Sequence, residues 1–457
     1  MNYYTRKIIQ DREAEKMEFD QEVIQLAKSL QEKTIGRRRD IHRHAEAGWT
    51  EFRTASIVAD ALTDLGYQVS AGDEVLVSEA MMGVPAAAEL SHQAERALSQ
   101  GANPKWVEKM KGGKTGVVGV MTFAKPGPTV ALRFDMDAND VLETEGDRHR
   151  PYRENFSSIN KGAMHACGHD GHTAVGLAVA EILVRLQDKL AGTIKLIFQP
   201  AEEGVRGAKA MTLKGIVDDV DYFLGMHFGF KMQKTGQFCC NIRGFLATTK
   251  YDAVFKGVPA HAGAAPEAGR NALLAAATAA LNLHAISRHS QGASRINVGV
   301  LNGGSGRNVI PAKAVLKLET RGVTSEINQY MSSEAVRIIE SAAAMYGVEV
   351  AITEMGGAAG CSNSPLLVDR LGTLVKRMGI FNDIVEQCDF GASEDCTYFM
   401  ERVQERGGQA AYVMVGTDLK AGHHDSSFDF DEQALTLAIA AAAGAAVELL
   451  TAAGKRA

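Results

Sequence analysis

The stretch from Asn160 to His172 holds one thiol and three imidazoles in a short, glycine-containing segment. Cys167 and His169 lie two positions apart, so on an extended backbone their side chains project to the same side. A thiolate and a neutral imidazole that converge in this way are good ligands for zinc or a similar divalent ion. The alternative is a buried cysteine beside polar residues that cap a helix. Further ligands elsewhere in the chain are needed to decide between the two.

Three more groups of candidate residues follow predicted strands later in the chain. They are Glu202 with Glu203, His227, and the pair His423 and His424. Taken singly, these groups have ordinary explanations: a solvated turn, a histidine satisfied in the core, and a polar loop. Together they stand at the carboxyl ends of predicted parallel strands, where open α/β sheets build their sites. The combination suits two divalent ions that share one ligand, while one of the adjacent glutamates accepts a proton from water.

Composition narrows the classes of function. The chain has 457 residues, more than one ordinary domain, and its hydrophobic (46%) and charged (23%) fractions are typical of a soluble globular protein. A net charge of −6 without a basic block argues against a nucleic-acid partner. Six cysteines without framework spacing favour a reducing compartment. With a charged N-terminus and no apolar run long enough for a bilayer, we expect a cytoplasmic protein that has no membrane contact.

Strand and helix signals alternate around the candidate residues. The β-rich runs 115–123 and 129–134, separated by a Pro-Gly turn, are expected to form a hairpin whose second strand ends at acidic residues including Asp137. The segment 73–113 contains a charged helical excursion that looks like an insertion before this hairpin. The basic segment 37–46 is expected to be a solvated helix face; pairing with carboxylates near the site is the alternative.

The pattern changes from Thr248 onward. Strand and helix signals then follow in the order β-α-β-β-α-β, which is the order of a ferredoxin-like domain. After this stretch the α/β pattern resumes and ends in an Ala-rich helix. The sequence therefore predicts a di-metal catalytic α/β domain formed by residues 1–243 and 358–457, with a smaller domain inserted over 244–357.

Five short motifs, in order along the chain, resemble those of a known family. They are residues 133–137, 165–170, 199–204, 226–227 and 424–432. The chain resembles the M20 metallopeptidase/amidohydrolase family from about residue 22 to residue 450. This resemblance implies a metal-dependent amidohydrolase that cleaves the amide bond of N-acyl amino acids.

The same resemblance assigns roles in the larger domain. It implies that the metal ligands are Cys167, His169, Glu203, His227 and His424. Cys167 would bridge two divalent ions, with Mn²⁺ favoured and Zn²⁺ possible. Glu202 would be the general base, and Asp137 the acid that orients a ligand. His424 is preferred to His423 because of its distance from the phenylalanine that follows in the family motif, although the residues between depart from that motif.

The resemblance also implicates three residues of the inserted domain: His261, Asn308 and Arg321. From the residues alone, His261 is a surface loop residue and Arg321 a cation at a strand end. In proteins similar to this one, the inserted domain dimerises and sends its histidine into the partner's active site. His261 would then polarise the scissile carbonyl, while Asn308 and Arg321 would hold the substrate carboxylate.

The expected protein is a homodimer, or a heteromer with a related subunit, that acts on a small N-acyl amino acid. The resemblance favours p-aminobenzoyl-glutamate, a folate breakdown product, which would yield p-aminobenzoate and glutamate. A broader aminoacylase or dipeptidase with the same machinery is the alternative among enzymes. A non-catalytic subunit that supports a related chain is the other alternative. The intact Glu202 argues against it, since a scaffold needs no base.

Overall fold

The computed structural model describes residues 3–451, with side chains from residue 16 onward. Its strands are β1 (Gln68–Ala71), β2 (Val117–Thr122), β3 (Lys125–Asp135), β4 (Ala191–Gln199), β5 (Tyr222–Phe228), β6 (Gln237–Cys239), β7 (Ile242–Arg243), β8 (Ala247–Lys256), β9 (Ser294–Gly303), β10 (Lys313–Gly322), β11 (Glu349–Ala358), β12 (Asp383–Val385), β13 (Cys388–Asp389) and β14 (Gln409–Val415). Its helices are α1 (Tyr3–Ser29), α2 (Gln31–Arg43), α3 (Phe52–Asp64), α4 (Ala87–Ser99), α5 (Pro104–Lys109), α6 (Arg150–Arg153), α7 (His169–Arg185), α8 (Ala208–Leu213), α9 (Ala272–Leu283), α10 (Ser325–Met345), α11 (Pro365–Met378), α12 (Thr397–Glu405) and α13 (Gln433–Thr451).

The larger sheet has eight strands in the order β1-β2-β4-β3-β5-β14-β6-β12. Its four central strands, β4, β3, β5 and β14, run parallel. Helices α7 and α13 pack with one apolar cluster on this sheet, and α8 and α12 pack with the other. Helices on both faces explain why the carboxyl-terminal halves of β3, β4 and β5 are buried on both sides. The predicted α/β class is confirmed, and the carboxyl ends of the central strands meet at one edge.

The expected hairpin between residues 115–123 and 129–134 is wrong. β4 lies between β2 and β3 and pairs with both of them. The Pro-Gly segment is not a turn either, because β3 already begins at Lys125. A Cβ added to Gly127 would lie 2.7 Å from the backbone nitrogen of Gly192, so the glycine serves a close approach of β3 to β4. Local turn signals cannot show that a later strand enters between two earlier ones.

The 73–113 segment does contain the predicted helical excursion, as α4 and α5. Both helices pack against α3. Trp106 is buried and donates its indole N–H to Asp60 at 2.8 Å. The segment is therefore an extension of the main apolar core.

Residues 247–358 form a separate four-stranded antiparallel sheet in the order β11-β8-β10-β9, the arrangement of a ferredoxin-like domain. Helices α9 and α10 cover one face, where Ala253 and Phe255 of β8 are buried. Since side chains alternate along a strand, Thr248 and Lys250 point to the opposite face. The division of the chain at residues 244 and 357 remains a prediction that this sheet supports; residues 1–2 and 452–457 lie outside the described part.

Helix α13 is long and apolar enough to cross a membrane, yet 72% of its most apolar window is buried inside the protein. It packs against α7, α1 and β3. A Cβ added at Gly444 would lie 3.0 Å from the sulfur of Met378, so a small residue is needed for the contact with α11. α13 is therefore a core helix of the larger sheet.

Candidate metal centre

Two groups of ligand atoms at the carboxyl edge of the sheet share one thiol. Cys167, His169 and His227 form the first group, and Cys167, Glu203 and His424 form the second; within each group the ligand atoms lie within 4.8 Å of one another. The Cys167 Sγ is 3.5 Å from the His227 Nε2, and the His424 Nε2 is 3.2 Å from a Glu203 carboxylate oxygen. The structure thus brings all five predicted ligands together, while their role as ligands stays a prediction.

Two of the histidines keep a ring nitrogen free for an ion. The Nδ1 of His169 donates to the Asp137 carbonyl at 2.9 Å, and the Nδ1 of His227 donates to the Phe228 carbonyl at 2.7 Å. With the proton on Nδ1, each Nε2 presents a lone pair. The His169 Nε2 is buried and has no hydrogen-bond partner among the described residues. Because such atoms are rarely left unpaired, this one fits a bound cation.

The backbone around Cys167 is set by Gly168. Its φ is +91°, a left-handed conformation that glycine adopts readily. α7 begins directly afterwards, so His169 stands in its first turn and His172 one turn later. The Nε2 of His172 accepts the backbone N–H of Phe228 at 3.1 Å, which ties α7 to the end of β5. The glycine turn and this contact together fix the direction of the first two ligands.

Asp137 orients the two adjacent glutamates. The backbone N–H groups of Glu202 and Glu203 each donate to one of its carboxylate oxygens, both at 2.9 Å. The same carboxylate lies 3.4 Å from the Nδ1 of His169. Ala201, just before the pair, has a φ of +49°, so the turn after β4 is strained for an L-residue. These contacts support the orienting role of Asp137, which stays a prediction.

The buried acidic groups at this edge of the sheet favour the binding of cations. Burial raises the pKa of Glu202 well above its ordinary value, and the carboxylates of Glu394 and Glu203 raise it further. Burial also raises the pKa of the Cys167 thiol, as do the nearby Glu203 and Glu202. Divalent ions would offset this crowding, because they favour the ionised forms of thiols and carboxylates. The residues present therefore fit a pair of divalent ions.

His423 and His424 occupy different positions. The Nε2 of His423 accepts the backbone N–H of Phe230 at 2.9 Å, and its Nδ1 lies 3.7 Å from the Cys167 Sγ. The ring also stacks on Phe230 with centroids 4.1 Å apart. His424, whose φ is +67°, instead directs its Nε2 at Glu203. The backbone of Phe230 occupies the Nε2 of His423, and it is His424 whose ring forms a group of ligand atoms with Cys167 and Glu203. These contacts favour His424 as the ligand.

Sequence reasoning missed a buried charged network beneath the site. The Arg133 guanidinium donates to Asp135, to Glu394 at 2.9 Å and to Asp395 at 3.4 Å. Glu394 and Asp395 also form a group with Glu202 in which carboxylate oxygens lie within 4.8 Å of one another. The signal in the sequence was an acid pair that follows small residues in a loop, which is the same pattern as the pair that contains Glu202.

The basic segment of α2 is not the solvated face that was expected. Arg38 is fully buried and pairs with Asp170 at 2.8 Å, Asp429 at 3.1 Å and Glu432 at 3.2 Å. The alternative, pairing with carboxylates near the site, is correct. Asp170 lies in the first turn of α7, and the other two acids follow the loop of His424. Arg38 therefore ties together two segments that supply candidate ligands.

We expect Arg38→Met to lower the free energy of unfolding by about 3–5 kcal/mol, because it removes the buried cation that the three carboxylates share. Among the described residues, Asp170 then keeps no arginine partner, and its only ion pair is with the ring of His42. The fluorescence of Trp49 and Trp106, the two tryptophans of the chain, would report urea unfolding of the larger domain. Arg39→Met is the matched control. Arg39 is partly exposed and pairs with Glu432 from the rim, so its loss should cost about 1 kcal/mol or less. Equal losses for both variants would contradict a special role for Arg38.

The two ligand groups open into a cleft of about 180 Å³ whose wall comes from both sheets. The larger domain lines it with Glu202, Glu394 and four candidate ligands, Cys167, Glu203, His227 and His424; the fifth, His169, is fully buried. Lys250 and Arg321 reach the cleft from β8 and β10 of the four-stranded sheet. The predicted substrate-binding residue Arg321 is thus next to the candidate metal centre, whereas Lys250 was not predicted.

His261 and Asn308 do not line this cleft. Both are exposed, and they belong to neighbouring loop segments, where the N–H of Ala262 donates to the Asn308 carbonyl at 3.0 Å. His261 also pairs with Val309 through an isolated β-bridge. The structure therefore brings these two residues to each other rather than to the candidate ligands of their own chain.

Comparison with known proteins gives concordant matches. The sequence matches Peptidase family M20/M25/M40 over residues 131–448. It is 51% identical over 416 residues to one of the subunits of the p-aminobenzoyl-glutamate hydrolase of Escherichia coli (strain K12), covering 91% of this chain and 95% of that protein. It is also 51% identical over 403 residues to the indole-3-acetyl-aspartic acid hydrolase of Enterobacter agglomerans, covering 88% and 92% of the two chains.

A solved structure gives the same result. The aminobenzoyl-glutamate utilization protein from Klebsiella pneumoniae superposes with a TM-score of 0.82 at 43% identity, covering 94% of this chain and 98% of that one. These matches confirm the predicted resemblance and the predicted enzyme class, a metallo-amidohydrolase. The chain belongs to Peptidase family M20/M25/M40.

Proposed function

We propose that this chain hydrolyses p-aminobenzoyl-glutamate to p-aminobenzoate and glutamate in the cytoplasm. The observation that carries the proposal is the pair of ligand groups that share Cys167, with Glu202 beside them in the same cleft. Two relatives at 51% identity are named for amides that join an aromatic acyl group to glutamate or to aspartate. Their shared chemistry favours a conjugate of an acidic amino acid over a broader range of acyl amino acids.

Cys167, His169 and His227 would hold one ion, and Cys167, Glu203 and His424 the other. Two bound divalent ions would supply Lewis acidity at the amide carbonyl and would lower the pKa of water. Mn²⁺ is favoured by the family resemblance, and Zn²⁺ also suits a thiolate with imidazoles.

Glu202 acts as the general base in this proposal. It accepts a proton from the attacking water and returns it to the leaving nitrogen of glutamate. Burial and neighbouring carboxylates raise its pKa, which favours uptake of the proton from water and keeps that proton on Glu202 until it is transferred. Asp137 keeps Glu202 in place through the backbone rather than through the reacting carboxylate.

We further propose a dimer, or a heteromer with a related subunit, in which His261 and Asn308 of one chain enter the cleft of the other. The free edge strand β9 exposes Val300 and Leu301, and the neighbouring helix α9 exposes Leu281, which is 78% accessible. Such apolar surface on an edge strand and its helix favours an interface. In that assembly His261 polarises the scissile carbonyl, and Arg321 and Asn308 bind the α-carboxylate.

A substrate screen tests the proposed function. The purified, desalted chain would be assayed with Mn²⁺ or Zn²⁺ on p-aminobenzoyl-glutamate, hippurate, N-acetyl amino acids and dipeptides. We expect the highest kcat/KM for p-aminobenzoyl-glutamate. A higher value for simple acyl amino acids or dipeptides would favour a broader aminoacylase or dipeptidase. No turnover of any substrate with either metal would favour a chain that depends on a related partner.

Mixing two inactive variants tests the shared site. If His261 acts across the interface, Glu202→Gln and His261→Ala chains that exchange subunits form mixed dimers with one intact composite site. Random exchange at equal amounts would restore about a quarter of wild-type activity, since half the dimers are mixed and each has one working site of two. Native mass spectrometry of isotope-labelled chains would verify exchange. Verified exchange without recovery would show that His261 does not act in trans.

A further inference from the structure

Lys250 places an ammonium group on the wall of the candidate catalytic cleft. In the register of β8 with β10, Lys250 lies opposite Glu319, and Thr248 lies opposite Arg321. These four side chains share the sheet face that turns away from α9 and α10. The face therefore presents two cations, Lys250 and Arg321, to the cleft.

The two cations differ in how far they are already neutralised. Arg321 donates to both carboxylate oxygens of Glu319, at 3.1 and 3.2 Å. The Lys250 ammonium makes neither a hydrogen bond nor an ion pair with residues 16–451. Its surroundings nevertheless remove it from water: burial lowers its pKa, against the opposing charges of Glu319 and Glu202. A half-buried ammonium without a partner is costly, and a carboxylate from a bound molecule would restore its electrostatic balance.

We propose that Lys250 binds the side-chain carboxylate of the leaving amino acid and so selects substrates that release a dicarboxylic amino acid. This inference rests on the proposed amidohydrolase function and deepens it. Glutamate and aspartate each offer two carboxylates, and the cleft offers two cationic positions. Arg321, together with the partner's loop, takes the carboxylate that every amino acid carries. Lys250 binds the side-chain carboxylate, which distinguishes acidic amino acids from neutral ones.

Lys250 lies near both Glu202 and His424, and this position supports a role in the selection of the amino acid. Its charge acts on Glu202, the proposed base, and on His424, a proposed ligand. Because Arg321 takes the α-carboxylate in the proposed function, the leaving amino acid lies toward the four-stranded sheet and within reach of β8. The acyl group must extend the other way, so Lys250 governs the choice of amino acid rather than the choice of acyl group.

The test compares two substrates that are nearly isosteric and differ in one charge. p-Aminobenzoyl-glutamate and p-aminobenzoyl-glutamine share the acyl group, the amide and the α-carboxylate. Lys250→Met, which keeps chain length but removes the charge, should lower kcat/KM for the glutamate substrate by about 10- to 100-fold. The value for the glutamine substrate should change by less than about threefold. Lys256→Met, an exposed lysine on the same face of β8 at its far end, is the matched control and should leave both values unchanged.

The outcomes separate this inference from the function on which it rests. If the wild-type protein hydrolyses both substrates equally well, or if Lys250→Met lowers both values by the same factor, Lys250 does not read the second carboxylate and only this inference fails. If the wild-type protein hydrolyses neither substrate, the proposed function is wrong, and the inference that rests on it is wrong as well. Metal content and circular dichroism equal to wild type would show that the Lys250→Met protein is folded. Calorimetric titration with glutamate and glutamine gives a second readout, in which only glutamate binding should weaken.

Discussion

Glu202→Gln is expected to lower kcat by about 10²- to 10⁴-fold while bound metal per chain stays at the wild-type level. The amide is almost the same size as the carboxylate but cannot accept the proton from water. The hydrogen bond that Asp137 accepts comes from the backbone N–H of Glu202, so it survives the substitution. Steady-state kinetics and elemental analysis of the same desalted sample would measure both quantities.

Two neighbouring carboxylates provide controls for this result. Glu203→Gln should lose metal as well as activity, because it changes a candidate ligand. Glu394 also lines the cleft and lies near Glu202, but it is already engaged by Arg133 and by the Tyr412 hydroxyl at 2.7 Å. A near-normal rate for Glu202→Gln with metal retained, together with a large loss for Glu394→Gln, would move the base to Glu394.

Cys167→Ala should reduce the content of both metal ions, and turnover should fall to the limit of detection. The reason is that its Sγ belongs to both groups of ligand atoms. His227→Ala, in contrast, removes a ligand from one group and should deplete mainly one ion. Elemental analysis after desalting, at a series of buffer metal concentrations, would distinguish the two patterns.

A second buried thiol controls for loss of packing. Cys239 is also fully buried, but it lies in β6 outside the cleft. Cys239→Ala should keep the metal content of the wild-type protein even if it loses some stability. Unchanged metal in both Cys167→Ala and His169→Ala would mean that the glycine-containing segment around them is structural.

The residues that local patterns could predict are those that end a strand or begin a helix. Glu202 and His227 stand at the end of apolar strands, and Cys167 lies just before α7. The structure places them at one edge because the parallel strands share their direction. Arg38 and Lys250 gave no such signal. The partners of Arg38 lie 132 to 394 positions away, and the cleft that Lys250 faces forms only when the two sheets meet.

Local sequence patterns also could not decide between His423 and His424. Adjacent residues share every local signal, and a sequence motif separated them only by spacing. In the structure, the backbone N–H of Phe230 occupies one ring nitrogen of His423, and the left-handed backbone of His424 turns the next ring toward Glu203. The failed hairpin of residues 115–134 has a related cause, since strand adjacency was set by β4, which comes much later in the chain.

The order of the candidate ligands along the chain has a consequence for biosynthesis. The first group is complete at residue 227, whereas the second needs His424, which follows the whole inserted domain. During translation the inserted domain, whose sheet pairs only within residues 247–358, can fold before β14 and α13 have left the ribosome. The segments that carry the first group, up to β5, are also made early, whereas β14, which lies beside β5, and α13 are made last. A nascent chain can therefore offer the first group of candidate ligands early, but the second group is complete only when synthesis is almost finished.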